Sequence, residues 1–277
     1  MHPHGGSVSA SRAVVVTLGY RPGGFDESLK RQIAESAGLP AALRVTLWPP
    51  LLGLDDAEVE EPYERLTREF GNVDPSLVRT IDGDVPRTPL DDAQRPLLRS
   101  LLLAHCVLES KWGYFQGMSD IACVALKVAA DGGGSDAKAF QLLRGLLRHS
   151  SDNWSHSDLK GVWRQHRTVR AVLQVVDPRL SKRLAAIDRT FGSAEEQPYS
   201  FLFGIVFLRL KRELVDLEET CRLWEVCWAI GPHFHLLVVA ALVRSQRRAI
   251  LRDVRAPAEL HGACSTAPLH LDWMTRT

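Results

Sequence analysis

The sequence predicts an all-α fold, and three observations support this prediction. Apolar residues recur at helical spacing in several long segments, and no segment shows sustained alternation of apolar and polar residues. The 277 residues, of which 45% are hydrophobic and 24% charged, suffice for a sizeable core. Since no period of about 20 to 50 residues recurs, we expect many helices with short connections rather than a solenoid.

In the first half, residues 1–24 are expected to form a flexible N-terminal tail, in which Ala13–Tyr20 resembles a short strand. The helix that carries Arg44 and Trp48 on one face should be disturbed by Pro49 and Pro50. Further helix-prone segments are Phe25–Ala37, Glu58–Glu69, Arg95–Glu109, the region around Ile121–Val128, and Ala137–Arg148, the last capped by Ser135 or Asp136.

In the second half, the stripe from Leu159 to Val176 predicts a long helix that ends at Asp177-Pro178. Phe201–Leu208 is almost entirely apolar, and we expect a buried helix that continues through Glu213. Two more helices are expected over Thr220–Ile230 and His235–Arg248, separated by Gly231-Pro232. The pattern weakens after about Arg252, and Ala256–Thr277 lacks a clear final amphipathic helix.

Bulk properties exclude several classes of protein. The formal net charge of +1 does not point to nucleic acid or to an acidic surface as a partner. The five cysteines are scattered without a Cys-x-x-Cys pair, so buried or free thiols in a reducing cytosol are expected. We expect no signal peptide, no transmembrane segment and no glycosylation at Asn153-Trp-Ser.

The sequence also argues against catalysis by the chain itself. There is no phosphate-binding P-loop, and Ile121 occupies the place of the second glycine in a nucleophile elbow. His233 and His235 have no third metal ligand, so capping or packing is the better interpretation for them. We therefore expect neither a metal site nor a cofactor.

Arg87 and Gln116 carry a different kind of chemistry. Phosphoryl transfer to water develops negative charge on the phosphoryl oxygens and needs a water molecule held in line. A guanidinium supplies a fixed, always charged set of donors, and a carboxamide can accept from water while it donates to phosphate. Taken singly, however, an arginine beside Asp84 is more often a surface ion pair, and a glutamine in a turn is usually solvated.

Two motifs decide between these readings, because together they resemble the TBC domain, which activates GTP hydrolysis by Rab proteins. Ile81, Asp84 and Arg87 match Ile-x-x-Asp-x-x-Arg, and Tyr114 and Gln116 match Tyr-x-Gln. The resemblance is clearest over residues 43–252, within a domain expected to span 25–277. It is extended by motifs on either side: Arg44-x-x-x-Trp48, Arg212-Glu213, Leu223-Trp-Glu225 and Pro232-His-Phe-His235.

The resemblance implies two helical lobes around a groove that bears the fingers. It makes Arg87 an arginine finger and Gln116 a glutamine finger, both acting in trans on a GTP-bound Rab. The chain would then activate an enzyme in vesicle trafficking rather than be one, and GTP and magnesium would belong to the partner. A cytoplasmic protein is implied, with membrane association only through that partner.

The other matched residues receive supporting roles. Asp84 is expected to hold the guanidinium of Arg87 ready, and Ile81 and Tyr114 to brace the two motifs. Gly117 would permit a tight turn after Gln116. Arg44 and Trp48 would open the domain as further supporting residues.

One alternative from another class stays open, a helical adaptor that binds a small GTPase or another protein without catalysis. The intact finger residues argue against it. The sequence departs from the family pattern at Gly204-Ile205, where the family often has an Arg-Trp pair, and in Ala256–Thr277. These departures concern C-terminal packing and partner choice rather than the fingers.

Overall fold

The computed structural model describes residues 27–35, 38–54, 63–111, 113–154, 158–189, 197–214 and 216–265. Within these ranges the protein is all-α and contains no strand, as predicted. The expected N-terminal tail and the Ala13–Tyr20 strand lie outside the described residues. The chain divides into two compact units, one of Met1–His149 with Trp228–Ile230, and one of Ser150–Cys227 with Gly231–Thr277.

The helices of the first unit are α1 (Glu27–Glu35), α2 (Ala41–Leu51), α3 (Tyr63–Thr67), α4 (Pro75–Asp84), α5 (Arg95–Leu108), α6 (Met118–Asp131) and α7 (Asp136–His149). Helix α6 is the centre of this unit, because it packs against α2, α5 and α7. Residues on nearly every side of α6 are buried, which explains why its apolar stripe is so wide. The predicted helices over α5 and α7 are confirmed to within a residue, and Ser135 Oγ accepts from the Lys138 N–H at 3.3 Å.

The sequence predicts that two prolines disturb α2, and the helix ends one residue after the second of them. Pro49 and Pro50 lie inside α2, which continues to Leu51, and the Leu52 N–H donates to the Trp48 carbonyl at 2.9 Å. Each proline lacks the N–H that would donate to the carbonyl four residues earlier, so each removes one helical hydrogen bond. Pro49 is buried among core residues, so packing outweighs the missing hydrogen bonds.

The helices of the second unit are α8 (Lys160–Val176), α9 (Pro178–Arg189), α10 (Phe203–Phe207), α11 (Leu217–Ile230, whose last three residues belong to the first unit), α12 (Phe234–Ser245), α13 (Arg247–Arg252) and α14 (Pro257–Ser265). Helix α8 packs against α9, α10 and α12 and forms the middle of the unit. Its predicted end at Asp177-Pro178 is confirmed, and Asp177 Oδ1 accepts from the Leu180 N–H to start α9.

The predicted helix over Phe201–Glu213 is only partly correct. Helix α10 stops at Phe207, because Arg209 and Leu210 adopt left-handed backbone with φ of 50° and 62°. The Leu210 N–H reaches back to the Ile205 carbonyl, and Trp224 Nε1 donates to the Arg209 carbonyl at 2.9 Å. These bonds give the two carbonyls partners and stabilise a helix end without glycine.

One prediction near the C-terminal end is also wrong, and one helix lies in a segment whose pattern was weak. The expected single helix over His235–Arg248 is broken at Gln246, since Ser245 Oγ donates to the Leu242 carbonyl and competes with the helical bond. A final helix exists where none was clear, namely α14. Glu259 accepts the N–H groups of Arg255 and Ala256 at its start, and Leu260 and Cys264 are fully buried.

A chain of buried amides runs through the core of the second unit. Gln165 Nε2 donates to Asn153 Oδ1 at 2.6 Å, and His235 Nε2 lies 2.9 Å from Gln165 Oε1. Asn153 Nδ2 in turn donates to the Phe207 carbonyl at 2.9 Å. We call Asn153, Gln165 and His235 the closed network, because all three are buried. His235 therefore has the packing role predicted, and Asn153 is not exposed for glycosylation.

The cysteines behave as the sequence predicts. All five are free and buried. Burial raises the pKa of the Cys106, Cys227 and Cys264 thiols to about 12, so these groups stay protonated near neutral pH.

Candidate functional site

The Ile81–Thr88 stretch forms the end of a helix and the turn that follows it. Helix α4 begins at Pro75, where Asp74 Oδ1 accepts from the Ser76 N–H at 2.6 Å. It ends at Asp84, and a 3₁₀ turn over Val85–Arg87 follows. Thr88 Oγ1 donates to the Val85 carbonyl at 2.6 Å and closes this turn. Arg87 therefore projects from a short, hydrogen-bonded extension of a helix.

The Arg87 side chain is mostly open to solvent. Its exposed fraction is 73%, whereas that of the Asp84 side chain is 9%. The guanidinium Nη1 lies 3.4 Å from Asp84 Oδ1, which is a long contact for an ion pair. Asp84 thus contacts the guanidinium through one nitrogen and leaves most of its donors exposed.

Asp84 also receives hydrogen bonds from the second motif. Tyr114 Oη donates to Asp84 Oδ2 at 2.7 Å, and Gln116 Nε2 approaches Asp84 Oδ1 at 3.5 Å. One carboxylate therefore joins the two motifs, which lie about thirty residues apart in the chain. We call Asp84, Arg87, Tyr114 and Gln116 the open network, because its arginine and glutamine are exposed while its tyrosine and aspartate are buried.

Tyr114 is held in the form that donates to Asp84. Burial raises the pKa of its phenol well above the ordinary value, and the hydrogen bond to the Asp84 carboxylate raises it further. The phenol is therefore protonated at any physiological pH, and its proton points at Asp84 Oδ2. This contact fixes one oxygen of the Asp84 carboxylate, Oδ2. The other oxygen, Oδ1, faces the exposed side chains of Arg87 and Gln116.

Two glycines shape the loop that carries Gln116. Gly113 has φ of 63° and lies against Leu77 of α4, where an added Cβ would come 2.9 Å from Leu77 Cδ1. Gly117 has φ of 101° and immediately precedes α6. Both conformations favour glycine, and together they turn the chain sharply on either side of Tyr114 and Gln116.

The remaining sequence-predicted residues lie in the core of the first unit. Ile81 is fully buried one turn before Asp84 in α4. Arg44 and Trp48 are both buried in α2, and Trp48 packs edge-to-face against Trp228 with ring centroids 4.9 Å apart. The structure thus brings Asp84, Arg87, Tyr114 and Gln116 together. Ile81, Arg44 and Trp48 instead belong to the core of the first unit.

An ion pair that the sequence did not reveal ties the end of α4 to α5. Arg99 Nε donates to Asp82 Oδ1 at 2.6 Å, and Arg99 Nη2 reaches Asp82 Oδ2 at 3.4 Å. The two residues are 17 positions apart, so no helical spacing could have suggested the contact. It fastens the last turn of α4, on which Asp84 sits, to the neighbouring helix.

The exposed ends of the open network can act on something outside the chain. The Gln116 amide nitrogen faces Asp84, and its carbonyl oxygen has no hydrogen bond to a described residue. Nearly all of the Arg87 donors are likewise turned to solvent. Among the described residues, no group of three or more His, Cys, Asp or Glu side chains is arranged to hold a metal ion. The described helices include none that is both long and apolar enough to cross a membrane.

Solved structures share this fold. The chain is similar to the Chlamydomonas flagellar RabGAP TBC domain, with a TM-score of 0.70 and 21% identity over 97% of this chain and 89% of that one. It is also similar to the Ypt/Rab-GAP domain of Gyp1p, with a TM-score of 0.68 and 16% identity over 97% of this chain and 95% of that one. At these identities the likeness concerns the fold alone.

Sequence relatives carry related names. Human TBC1 domain family member 17 is 28% identical over 248 residues, which cover 78% of this chain and 36% of that protein. Rab GTPase-activating protein 22 of Arabidopsis thaliana is 30% identical over 132 residues, covering 48% of this chain and 22% of that protein. The chain thus spans well under half the length of these two relatives. The family model for the Rab-GTPase-TBC domain matches residues 41–251. Because that match covers most of the chain, the protein belongs to the Rab-GTPase-TBC domain family.

Proposed function

We propose that this chain is a GTPase-activating protein for a Rab-type small GTPase in its GTP-bound state. The observation that carries the proposal is the open network, in which the buried Asp84 contacts both Arg87 and Gln116 while both remain exposed. Membership of the family supports it, as do relatives named as GTPase-activating proteins in Arabidopsis thaliana and Schizosaccharomyces pombe.

Arg87 supplies the positive charge that the reaction needs. As the bond to the γ-phosphoryl group breaks, negative charge spreads over its oxygens and the leaving oxygen. A guanidinium inserted beside them stabilises that charge more in the transition state than in bound GTP. The 73% exposed side chain can leave its long contact with Asp84 at small cost, because an exposed ion pair contributes little.

Gln116 positions the attacking water. With Nε2 turned toward Asp84, the carbonyl oxygen is the part of the amide that can accept a hydrogen bond from water. A water held in line with the leaving oxygen reacts faster, since its translational and rotational freedom has already been lost on binding. The chain contributes no nucleophile and no general base of its own.

Asp84 and Tyr114 are positioning residues. The Tyr114–Asp84 hydrogen bond, at 2.7 Å, is the shortest contact in the open network and lies in its buried part. It fixes the carboxylate that both exposed side chains contact, so both are held near their working positions before the partner binds. GTP and magnesium belong to the partner in this proposal, and the chain itself needs no cofactor.

Single-turnover GTP hydrolysis on a panel of purified Rab proteins tests the proposal. We expect the chain to accelerate hydrolysis by at least one Rab, and Arg87→Ala to reduce that stimulation by about 10³-fold or more. Gln116→Ala should also abolish most of it. Both variants should keep the wild-type circular dichroism spectrum and unfolding midpoint, because both side chains are exposed.

Matched controls separate the fingers from the general surface charge. Arg79 is another exposed arginine of α4, and Gln174 is an exposed glutamine of α8. Arg79→Ala and Gln174→Ala should retain stimulation within about twofold, as expected for surface sites away from the chemistry. Full stimulation by Arg87→Ala on the responsive Rab would contradict the mechanism. Binding of a GTP-loaded Rab without any stimulation would favour the adaptor function instead.

A further inference from the structure

A strongly basic surface lies on the second unit, away from the residues of the open network in sequence. It is formed by α9, the end of α12, α13 and the segment that follows α13, and α9 and α13 pack together. We call it the basic face and define it by Arg179, Lys182, Arg183, Arg244, Arg248 and Arg255. Four cations come from the two helices and two from the segments beside them.

The net charge of the whole chain does not reveal the positive charge of this surface. Helix α9 contains four basic residues and one aspartate, and residues 244–255 contain five arginines and one aspartate. These two segments therefore carry +3 and +4, while the entire chain carries only +1. The remainder must carry −6, so positive charge is concentrated in these two segments.

Most of the basic face is not neutralised by acids of the fold. Arg179, Lys182 and Arg248 are exposed and form no ion pair with a described residue, whereas the charge of Arg244 acts on the Asp177 carboxylate. In the same region Arg247 pairs with Asp177 at 2.7 Å, and Arg252 pairs with the adjacent Asp253. Exposed cations without counter-charges attract anions from solution, at a range set by the ionic strength.

A cleft of about 540 Å³ opens within the basic face. Arg179, Lys182, Arg183 and Arg255 line it, with the apolar side chains of Ala186 and Leu251 between them. Arg183 is fixed there because its Nη2 donates to the Val254 carbonyl at 2.6 Å. Four cations around one open cleft suit an anion with several negative oxygens.

A second cleft continues the surface. Its volume is about 560 Å³, and Arg244, Arg247 and Arg248 line it together with Ala241 and Ser245. Arg247 of the second cleft and Leu251 of the first are four residues apart in α13, so they lie on one side of that helix. Two adjacent basic clefts favour a partner that presents many anionic groups over an area.

We propose that the basic face binds directly to a membrane surface rich in anionic phospholipid, with a phosphorylated headgroup in the Arg179–Arg255 cleft. Clusters of four to eight basic residues contribute roughly 1 kcal/mol per cation at such a surface. Nucleic acid suits the face less well, because neither cleft is lined by an aromatic side chain on which a base can stack. This contact is independent of GTPase activation and adds to recruitment through a partner.

Co-sedimentation of the 277-residue chain with vesicles tests the proposal. Three compositions are compared: phosphatidylcholine alone, phosphatidylcholine with phosphatidylserine, and phosphatidylcholine with a phosphoinositide. We expect binding to both anionic compositions, tighter binding to the phosphoinositide, and loss of binding as salt rises. Phosphatidylcholine alone should not retain the chain.

The decisive variant is Arg179→Gln with Lys182→Gln. Both side chains are exposed and unpaired, so the fold and its unfolding midpoint should not change. Losing two cations should weaken vesicle binding by about 30-fold, at roughly 1 kcal/mol per cation and 1.4 kcal/mol per tenfold. Arg68→Gln with Lys111→Gln removes two exposed cations of the first unit and should leave binding unchanged.

Three results would overturn the proposal. The first is no binding to either anionic composition, and the second is equal loss of binding in the two double variants. The third is capture of soluble inositol hexakisphosphate, or of duplex DNA at the same salt, by a chain that does not bind vesicles. Retained GTPase stimulation in the Arg179→Gln, Lys182→Gln variant is expected in every case, which separates this proposal from the proposed function.

Discussion

The closed network of the second unit and the open network of the first contain similar polar side chains. Those of the closed network are all buried, whereas two of those in the open network are exposed. Each network connects segments that are far apart in the chain through one central side chain, Gln165 in the first case and Asp84 in the second. In the closed network the last donor, the amide of Asn153, bonds to the buried carbonyl of Phe207. In the open network the outermost groups are exposed.

The difference teaches how to separate stability from activity in this fold. A buried amide that loses its partner costs the free energy of desolvation, so the closed network should matter for folding. Removing the exposed guanidinium or amide of the open network should change the free energy of unfolding little. That network should therefore matter for binding to a partner rather than for folding. The predictions below test this separation, from the largest expected effect to the smallest.

Gln165→Leu should have the largest effect on stability. It removes the bonds to Asn153 Oδ1 and His235 Nε2, both in the core, and we expect the free energy of unfolding to fall by roughly 2 to 5 kcal/mol. Urea denaturation measures it. Gln174→Leu, an exposed position of the same helix, should change stability by less than about 0.5 kcal/mol. Equal midpoints for the two variants would show that the closed network does not stabilise the fold.

The stability of the second unit should also depend on pH through His166. Burial lowers the pKa of this histidine to about 4, although its contact with the Pro198 carbonyl at 3.0 Å opposes the shift. Since the folded pKa lies below the unfolded value of about 6.5, this stability is fully present above pH 6.5 and is lost as pH falls toward 4. The expected slope is about 1 kcal/mol per pH unit in that window.

Urea unfolding between pH 7 and pH 4 measures this dependence, with His166→Gln as the comparison. The variant should lose part of the slope, because glutamine can donate to Pro198 but does not titrate. An unchanged slope would assign the pH dependence to other groups.

Asp84→Asn should affect activity more than folding. The amide oxygen can still accept from Tyr114, but the negative charge that attracts Arg87 is gone. We expect stimulated hydrolysis to fall by about 10- to 100-fold, as for a misplaced catalytic group, while stability changes by about 1 kcal/mol. Hydrolysis rates and urea midpoints measure the two effects. A loss of folding that matches the loss of rate would make Asp84 a structural residue only.

Tyr114→Phe should have the smallest effect on stimulated hydrolysis. It removes the 2.7 Å hydrogen bond to Asp84 Oδ2 and leaves the ring in place. We expect a loss of roughly 1 to 2 kcal/mol of stability and a reduction in stimulated hydrolysis of about 3- to 10-fold. A rate unchanged within error would show that the carboxylate is oriented without the phenol.

Many helices were predictable, whereas α4 and α9 were not expected, and some helix ends depend on contacts that a local pattern does not show. The stripe of apolar residues in α8 and its aspartate-proline end are local signals, and both predictions are confirmed. The end of α10 depends on Trp224, which donates to the Arg209 carbonyl from another helix. The prolines of α2 are tolerated because of the surrounding core. Such tertiary contacts leave no mark in a local pattern.

The candidate site was predictable in part for the same reason. The three-residue spacing of Asp84 and Arg87 indicates their contact, and the resemblance to the family singled out Tyr114 and Gln116. That all of these side chains meet at the Asp84 carboxylate follows only from the packing of the loop against α4. The basic face was not predicted from the sequence, because the whole-chain charge of +1 is a sum over segments of opposite sign.

The pairing of Trp48 with Trp228 has a consequence for synthesis on the ribosome. The residues of the open network all emerge before His149, whereas Trp228 belongs to the first unit but emerges much later. The residues of the open network are therefore synthesised early. The contact between Trp48 and Trp228 can form only after the end of α11 has been synthesised. A nascent chain stalled before that point would leave an edge of Trp48 without Trp228 against it, so the core of the first unit would be incomplete.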